Sequence, residues 1–235
     1  MNLLADGFAW LADPAQWSGA GGIPTRLAQH LGVTIGVVLV AALIALPIGI
    51  AVGHTGRGRG AVVALVGAAR AIPTLGLLTV LGLVLGIGPR APIIALVVLA
   101  VPSLLAGCYA GIQAVDARTV DGARAIGMSG RQVLTRVELP LAAPVIVGGL
   151  RAATLQVVAT ATLAAYPADL GLGRYLFTGL KSRDYAQMLG GALLVIALAL
   201  VLELALAALQ RHVSRRAAPT LDRRTRRIPT SEVTA

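Results

Sequence analysis

The segment Leu31–Val52, LGVTIGVVLVAALIALPIGIAV, decides the kind of fold that this chain adopts, because it contains no charged residue. A hydrocarbon core of roughly 30 Å is crossed by about 20 helical residues. A segment exposed to lipid must be helical or part of a closed barrel, since its backbone groups find no hydrogen-bond partners in the lipid. The segment therefore predicts a membrane-spanning helix.

Four more apolar stretches of similar length follow, and they extend the same interpretation along the chain. They cover residues 61–87, 92–112, 141–166 and 186–209, and single charges interrupt three of them, at Arg70, Arg151 and Glu203. We predict an all-α integral membrane protein with five transmembrane helices. Its many Gly and Ala residues favour close helix packing.

The composition supports the membrane class and argues against an enzyme. Hydrophobic residues make up 57% of the chain, charged residues 13%, and the mean hydropathy is +0.82, whereas soluble domains have about 25% charged residues. The single cysteine, Cys108, excludes a disulfide framework and a cysteine-based metal site. The three histidines are far apart and no phosphate-binding loop occurs, so we expect no catalytic residue, no metal site and no cofactor on this chain.

The distribution of arginine predicts the orientation, because cytoplasmic loops of membrane proteins are enriched in Lys and Arg. With the N-terminus outside, most basic residues fall on the inner side of the membrane. These are Arg57, Arg59, Arg118, Arg124, Arg131, Arg136 and the arginines of 211–235. We predict an outside N-terminus, an inside C-terminus and a cytoplasmic loop between spans three and four.

The predicted organisation is one transmembrane domain, 27–210, with a short segment at each end. Residues 1–26 contain Phe8, Trp10 and Trp17, which suit an interfacial segment on the outer side. Residues 211–235 are basic, contain proline and lack helical periodicity. They predict a disordered cytoplasmic tail that is attracted to anionic membrane lipid.

The predicted cytoplasmic loop, residues 114–140, begins with the signals of a capped helix. Asp116 can cap a helix that runs from Ala117 to about Ile126 and places Val120, Ala123 and Ile126 on one apolar stripe. Gly127 can end that helix because glycine accepts left-handed backbone geometry.

The second half of the loop has its own start and stop signals. Ser129 followed by Gln132 is a capping-box pattern, which predicts a second short helix that carries Val133, Leu134 and Val137. Pro140 is expected to end this helix and begin the fourth span. The loop is therefore predicted to be a compact, amphipathic helix–turn–helix under the membrane.

Three interpretations of the loop compete. An ordinary basic loop would satisfy the charge rule but would not need two capped helices. DNA binding is the poorest fit, because there is no room for a third supporting helix and both ends are tied to the bilayer, so no nucleic-acid partner is expected. A docking element that inserts into a partner protein accounts for the caps and the apolar stripe.

The loop resembles that of the permease subunits of bacterial ABC importers. Their shared pattern is Glu-Ala-Ala, three residues, Gly, nine residues, Ile, one residue and Leu-Pro. Here Asp121, Gly122 and Ala123 stand at the first three positions, followed by Gly127, Val137, and then Leu139 and Pro140. The departures are Asp for Glu, Gly for Ala and Val for Ile. Gly122 is expected to weaken the first loop helix by roughly 0.5–1 kcal/mol.

This resemblance implies a non-catalytic transport subunit in the bacterial plasma (inner) membrane, with multiple spans. The loop would couple to a cytoplasmic ABC ATPase that holds ATP and Mg and hydrolyses the ATP. The coupling residues it implies are Asp121, Gly122, Ala123, Gly127, Met128, Ser129, Leu139 and Pro140. A second permease, either another copy or a paralogue, and an extracytoplasmic solute-binding protein would complete the importer.

Three further segments resemble the branch that imports glycine betaine, choline, carnitine and proline. They are RAIPTLGLLTVLGLVLGIG (70–88), GLRAAT (149–154) and PADLGLGRYLFTGL (167–180). Related branches for methionine or other small solutes share some of these features and stay as alternatives. Quaternary ammonium ions are recognised by aromatic cages, and Tyr109 is the only aromatic residue well inside a predicted span. We therefore expect the separate binding protein to select the solute.

Residues at membrane depth are candidates for the solute pathway or its gate, because buried charges there often mark such routes. The candidates are Arg70, Pro73, Arg151, Gly171 and Gly173. Either arginine can instead have a structural role, by snorkelling or by bonding loop carbonyls near the cytoplasmic side. Glu203 is expected to pair with a basic group near the inner interface. A stand-alone secondary transporter is the alternative class, followed by a membrane-bound regulator. A secondary transporter predicts internal duplication, which the chain lacks.

Overall fold

The protein is described here by a computed structural model that covers residues 2–217, apart from the Arg70 side chain. The predicted tail therefore lies outside the described residues from position 218 onward. All regular structure within 2–217 is helical. The helices are α1 (Leu3–Ala12), α2 (Ile23–Thr55), α3 (Arg59–Ala71), α4 (Thr74–Leu85), α5 (Arg90–Gln113), α6 (Ala117–Ala125), α7 (Gly130–Val133), α8 (Leu139–Ala168), α9 (Gly173–Ser182) and α10 (Tyr185–Ala217), with a 3₁₀ turn at Pro14–Trp17 and a π-helix at Leu134–Glu138.

Four of the helical segments in the described range are long and apolar enough to cross a membrane. They are α2, α5, the segment Gly130–Ala168 that contains α8, and α10. These correspond to the first, third, fourth and fifth predicted spans. We call the end of the bundle with α6 and α7 the loop end, and the opposite end the α9 end.

The second predicted span, 61–87, is not one straight helix, and its crossing of the membrane as a single span stays a prediction. It is divided into α3 and α4, which are bent by 89° and form either one broken span or a re-entrant segment. The break falls at Ile72, whose backbone is extended, and Pro73. Proline has no N–H and forces the preceding residue away from helical geometry.

The core lies where α5 packs between α2 and α8. Buried Val37, Leu104 and Val157 come from these three helices in turn. Glycines bring the helix backbones into contact. A Cβ atom on Gly107 of α5 would lie 2.6 Å from the Cα atom of Gly149 on α8. The Gly and Ala content therefore produces the close packing that the sequence indicates.

The α9 end is covered by the chain's first helix. The Trp10 ring of α1 lies edge-on to Tyr175 of α9, with ring centroids 5.0 Å apart. The same ring lies against Gly190 of α10, where a Cβ atom would come within 2.3 Å of it. The N-terminal segment is therefore packed onto the bundle through α10.

The loop end contains a correction to the predicted structure. The segments α7, Leu134–Glu138 and α8 form one continuous helical run, so the prediction of a separate second loop helix that ends at Pro140 was wrong. The Leu139 N–H donates to the Leu134 carbonyl, five residues earlier, as in a π-helix. This wider turn lets the chain pass through a proline that would otherwise collide with the preceding turn.

Candidate functional site

Helix α6 begins and ends where its caps are predicted. The Asp116 carboxylate accepts a hydrogen bond of 2.9 Å from the Arg118 N–H. At the other end Gly127 adopts a left-handed backbone with φ of 85°, and the Met128 N–H donates to the Ala123 carbonyl at 3.2 Å. These contacts confirm the predicted start and stop of the first loop helix.

The capping box at the start of α7 is also confirmed. The Ser129 N–H donates to the Gln132 side-chain carbonyl at 2.8 Å, and the Gln132 N–H donates back to the Ser129 hydroxyl at 3.4 Å. Each residue therefore satisfies a backbone donor that a helix start would otherwise leave unpaired.

The apolar residues of the loop divide into a buried and an exposed set. Ala123 and Val133 are buried, at 8% and 0% exposure, where α6 and α7 pack against each other and against the π segment. Ile126 is 79% exposed, although the predicted stripe grouped it with Ala123. An isoleucine beside the Gly127 turn is thus available to a partner protein.

The charges of the loop are largely solvent-exposed. Asp121 and Arg124 approach to 3.8 Å, but both side chains are more than half exposed, so their pairing contributes little to stability. Arg118, Arg131 and Arg136 are also exposed. The loop therefore presents a basic surface around an exposed apolar residue.

Arg151 joins α8 to α10. Its Nε atom donates to a Glu203 oxygen at 2.7 Å and one of its terminal nitrogens bonds the other oxygen. Its second terminal nitrogen donates to the side-chain carbonyl of Gln210 at 3.1 Å, and the Gln210 side-chain amide nitrogen donates to the Pro144 backbone carbonyl at 3.0 Å. The expectation that Glu203 pairs with a basic group is confirmed, and that group is Arg151. A pathway role for Arg151 stays a prediction.

We predict that Arg151→Ala lowers the amount of folded protein in the membrane severalfold, because Glu203 and Gln210 lose a shared donor within an apolar helix pair. At membrane depth, removing one partner of an ion pair leaves an unpaired charge next to lipid, which costs more than removing both. The double variant Arg151→Ala/Glu203→Ala should therefore recover much of the lost protein. Detergent-extracted yield and size-exclusion profiles measure this, and a double variant no better than the single one would contradict it.

Gly171 and Gly173 are packing positions at the α9 end. Gly171 has φ of 73°, and a Cβ atom there would lie 3.0 Å from the His30 Nδ1 atom. A Cβ atom on Gly173 would collide with the Thr162 carbonyl at 2.0 Å. The buried His30 ring fixes the same turn: its Nε2 atom lies 3.0 Å from the Val158 carbonyl, and its Nδ1 atom accepts from the Leu172 N–H at 3.3 Å.

The turn between α8 and α9 is also fixed by charge. Asp169, with φ of 50°, pairs with Arg26 of α2 at 3.2 Å and with Arg174 of α9 at 3.0 Å. Nearby, the Tyr175 hydroxyl donates to the Gly21 carbonyl at 2.7 Å. Burial raises the pKa of this hydroxyl, and the Arg26 charge partly opposes that rise. These contacts hold the α8–α9 turn and the start of α9 against the N-terminal part of α2.

An open crevice of about 450 Å³ lies between α4 and the α8–α9 turn. Its lining includes Leu75, Thr79, Gly82, Ile87, Tyr166 and Lys181. Pro73 positions α4 on one side of it through the bend. Tyr166 packs on Phe177 with ring centroids 5.4 Å apart. Arg70, which precedes the bend, has a side chain outside the described part of the chain.

A cluster of polar side chains at the loop end was not predicted from the sequence. Glu138 of the π segment bonds the His54 ring of α2, and the Gln113 side chain of α5 donates to the Gly53 carbonyl at 2.9 Å. The signal that could have found Glu138 is a lone carboxylate between two apolar residues at the entrance to a span. Among the described residues, no group of three or more His, Cys, Asp or Glu side chains could hold a metal ion.

The chain is similar to a family of transport proteins and to several of its members. A family described as binding-protein-dependent transport system inner membrane component matches residues 41–219. The glycine betaine/carnitine/choline transport system permease protein OpuCB of Bacillus subtilis (strain 168) is 33% identical over 80% of this chain and 87% of its own length. The choline transport system permease protein OpuBB of the same organism is 33% identical over 79% of this chain and 86% of its own length.

A solved structure has the same fold. A chain of the MetNI methionine ABC transporter, in an inward-facing conformation, superposes with a TM-score of 0.73 over 86% of this chain and 98% of its own. Its sequence identity to this chain is 23%.

Proposed function

The chain belongs to the family of inner membrane components of binding-protein-dependent transport systems, and on this premise we propose that it is the permease subunit of an ATP-driven importer for osmoprotectants. The solutes are small compatible solutes of the type named for its relatives, namely glycine betaine, carnitine and choline. The observation that carries this proposal is the similarity to those permeases over about four fifths of the chain. The protein is a multi-pass component of the bacterial inner membrane.

We infer that loop 114–140 docks on a cytoplasmic ATPase subunit, which binds ATP and Mg and hydrolyses the ATP. Exposed Ile126 and the surrounding arginines supply an apolar contact and a charge that an acidic cleft can bind. The continuous helix from Gly130 to Ala168 connects this contact to α8 without a hinge. Movement of the ATPase would therefore move the span directly.

The proposed orientation places the N-terminus outside and the loop end in the cytoplasm. The arginines of the α2–α3 turn, of the loop and of the tail support it, because basic residues favour the cytoplasmic side. The bent pair α3–α4 then counts as the second crossing, which gives the five spans. In this orientation the extracytoplasmic solute-binding protein would dock at the α9 end.

A second permease, either another copy or a paralogue, would complete the pathway. Helix α4 exposes Leu75, Val80, Leu83 and Val84, which fit lipid or a second bundle. The crevice beside α4 carries Lys181, and Arg174 lies next to Tyr166 and Phe177. Positive charges there oppose tight binding of a quaternary ammonium ion, so selection falls to the binding protein.

Uptake of radiolabelled solute by cells that express the complete importer tests this function. We expect uptake of glycine betaine, choline or carnitine to stop when ATP is depleted and to survive collapse of the ion gradients by ionophores. The reverse pattern would indicate a secondary transporter. If unlabelled methionine inhibits the uptake more strongly than any of these three solutes, the osmoprotectant assignment is wrong. The assignment as an ATP-driven importer would still stand.

A further inference from the structure

Glu138 is the one carboxylate among the described residues that is buried, at 5% exposure. A buried carboxylate is costly unless a donor satisfies it. That donor is the Nδ1 atom of His54, in the last turn of α2, 84 residues away along the chain. The π segment that enters α8 is therefore bound to the end of α2 by a side-chain pair.

The surroundings of His54 make this pair part of a larger junction. The neighbouring Gly53 packs on Ile112 of α5, where a Cβ atom would lie 2.7 Å from the isoleucine, and its carbonyl accepts from Gln113. On its other side, the His54 Nε2 atom faces Gly130, the first residue of α7. The ends of α2 and α5 and both ends of the α7–π turn thus meet at one point.

The three spans differ in how the loop can move them. Helix α8 continues the loop, and α5 is joined to α6 by residues 114–116. Helix α2 has no such covalent connection, so a force on the loop reaches it only through non-covalent contacts. The Glu138–His54 hydrogen bond is a directional contact of that kind, and both side chains are largely shielded from solvent.

We propose that the Glu138–His54 pair is the joint through which movement of loop 114–140 is transmitted to α2. Both are positioning residues, and this inference rests on the proposed function. With the pair intact, α2 moves with the loop as one body. Without it, the ATPase still moves the loop and α8, but α2 lags and ATP is hydrolysed with less solute imported.

A pair of amide substitutions tests the joint. His54→Asn places an N–H donor near the position of Nδ1, whereas His54→Gln places it near Nε2 and removes the donor to Glu138. The two variants are alike in polarity, so a general effect on folding would change both. The matched control is His212→Gln on the exposed face of α10.

The first measurement is glycine betaine imported per ATP hydrolysed by the complete importer in proteoliposomes. We expect His54→Gln to lower this ratio about threefold or more, the scale of coupling energies carried by single contacts, with His54→Asn and His212→Gln close to the parent. Equal ratios for the Asn and Gln variants would overturn the joint. If the importer with the unsubstituted chain shows no ATP-driven import, the proposed function is wrong, and so is the joint, which rests on it.

The second measurement reads the movement itself. Spin labels at exposed Thr55→Cys and Thr135→Cys report the distance from the α2 end to the π segment, and native Cys108 is buried. We expect ATP to leave this distance unchanged in the His54→Asn chain and to shift it in the His54→Gln chain. A distance that responds equally to ATP in both chains would contradict the proposal even if transport differed.

Discussion

A Gly127→Val chain is expected to reach the membrane but to lose ATP-driven uptake by about tenfold or more, the scale of a left-handed backbone penalty of roughly 1–2 kcal/mol. Gly127 has φ of 85°, and a Cβ atom there would meet nothing within 4 Å. The obstacle is therefore the backbone geometry and not crowding. Valine would force the turn to change, which moves Ile126 and the start of α7 out of their docking positions.

Gly122→Ala is the matched control for this variant. Gly122 lies inside α6 in open space, so alanine should favour the helix by roughly 0.5–1 kcal/mol and leave uptake intact. Capture of the ATPase from membranes by the tagged chain measures docking alongside uptake. Equal ATPase capture and uptake by the Gly127→Val chain and its parent would show that the turn is not needed for coupling.

Gly107→Val is expected to remove nearly all folded protein. The side chain would be driven into the backbone of Gly149, 2.6 Å from the nearest atom, and neither helix backbone can yield as a flexible side chain would. Overpacking costs about 1–3 kcal/mol even where side chains can adjust. Membrane yield and the thermal stability of the detergent-extracted protein measure the effect.

Gly36→Ala is the control for Gly107. Gly36 also lies within a long helix, but a Cβ atom there would meet nothing within 4 Å, so alanine should leave the yield unchanged or raise it. If both variants lose the folded protein, the cause would be the replacement of a glycine within a long helix and not the close contact between Gly107 and Gly149. If the Gly107→Val chain folds normally, the α5–α8 contact is looser than the structure indicates.

Much of the fold could be predicted from the sequence because the relevant signals are local. Uncharged stretches define spans by length, and the caps at Asp116, Ser129 and Gly127 define helix ends by their own side chains and backbone. The one error concerns a proline. Pro73 bends its predicted span by 89°, whereas Pro140 does not interrupt its helix, and which outcome holds depends on whether neighbouring turns can widen around the ring.

The pairings of the candidate site were harder to predict because they connect distant parts of the chain. The sequence indicates that Glu203 needs a basic partner, but not that Arg151 reaches it from α8. Glu138 and His54 show the same difficulty, since 84 residues separate them. Glycine content indicates close packing, yet only the three-dimensional arrangement pairs Gly107 with Gly149.

The π segment sets the rotational position of α7 about the helix axis relative to α8. Each residue of a helix turns the chain by about 100°, so one residue added to or removed from 134–138 would rotate α7 by about that angle relative to α8. Ser129 and Gly127 would then face a different direction, and Glu138 would leave His54. Changes of length are therefore poorly tolerated between Gly127 and α8, whereas the 114–116 turn, which has exposed residues, can absorb them without rotating the span.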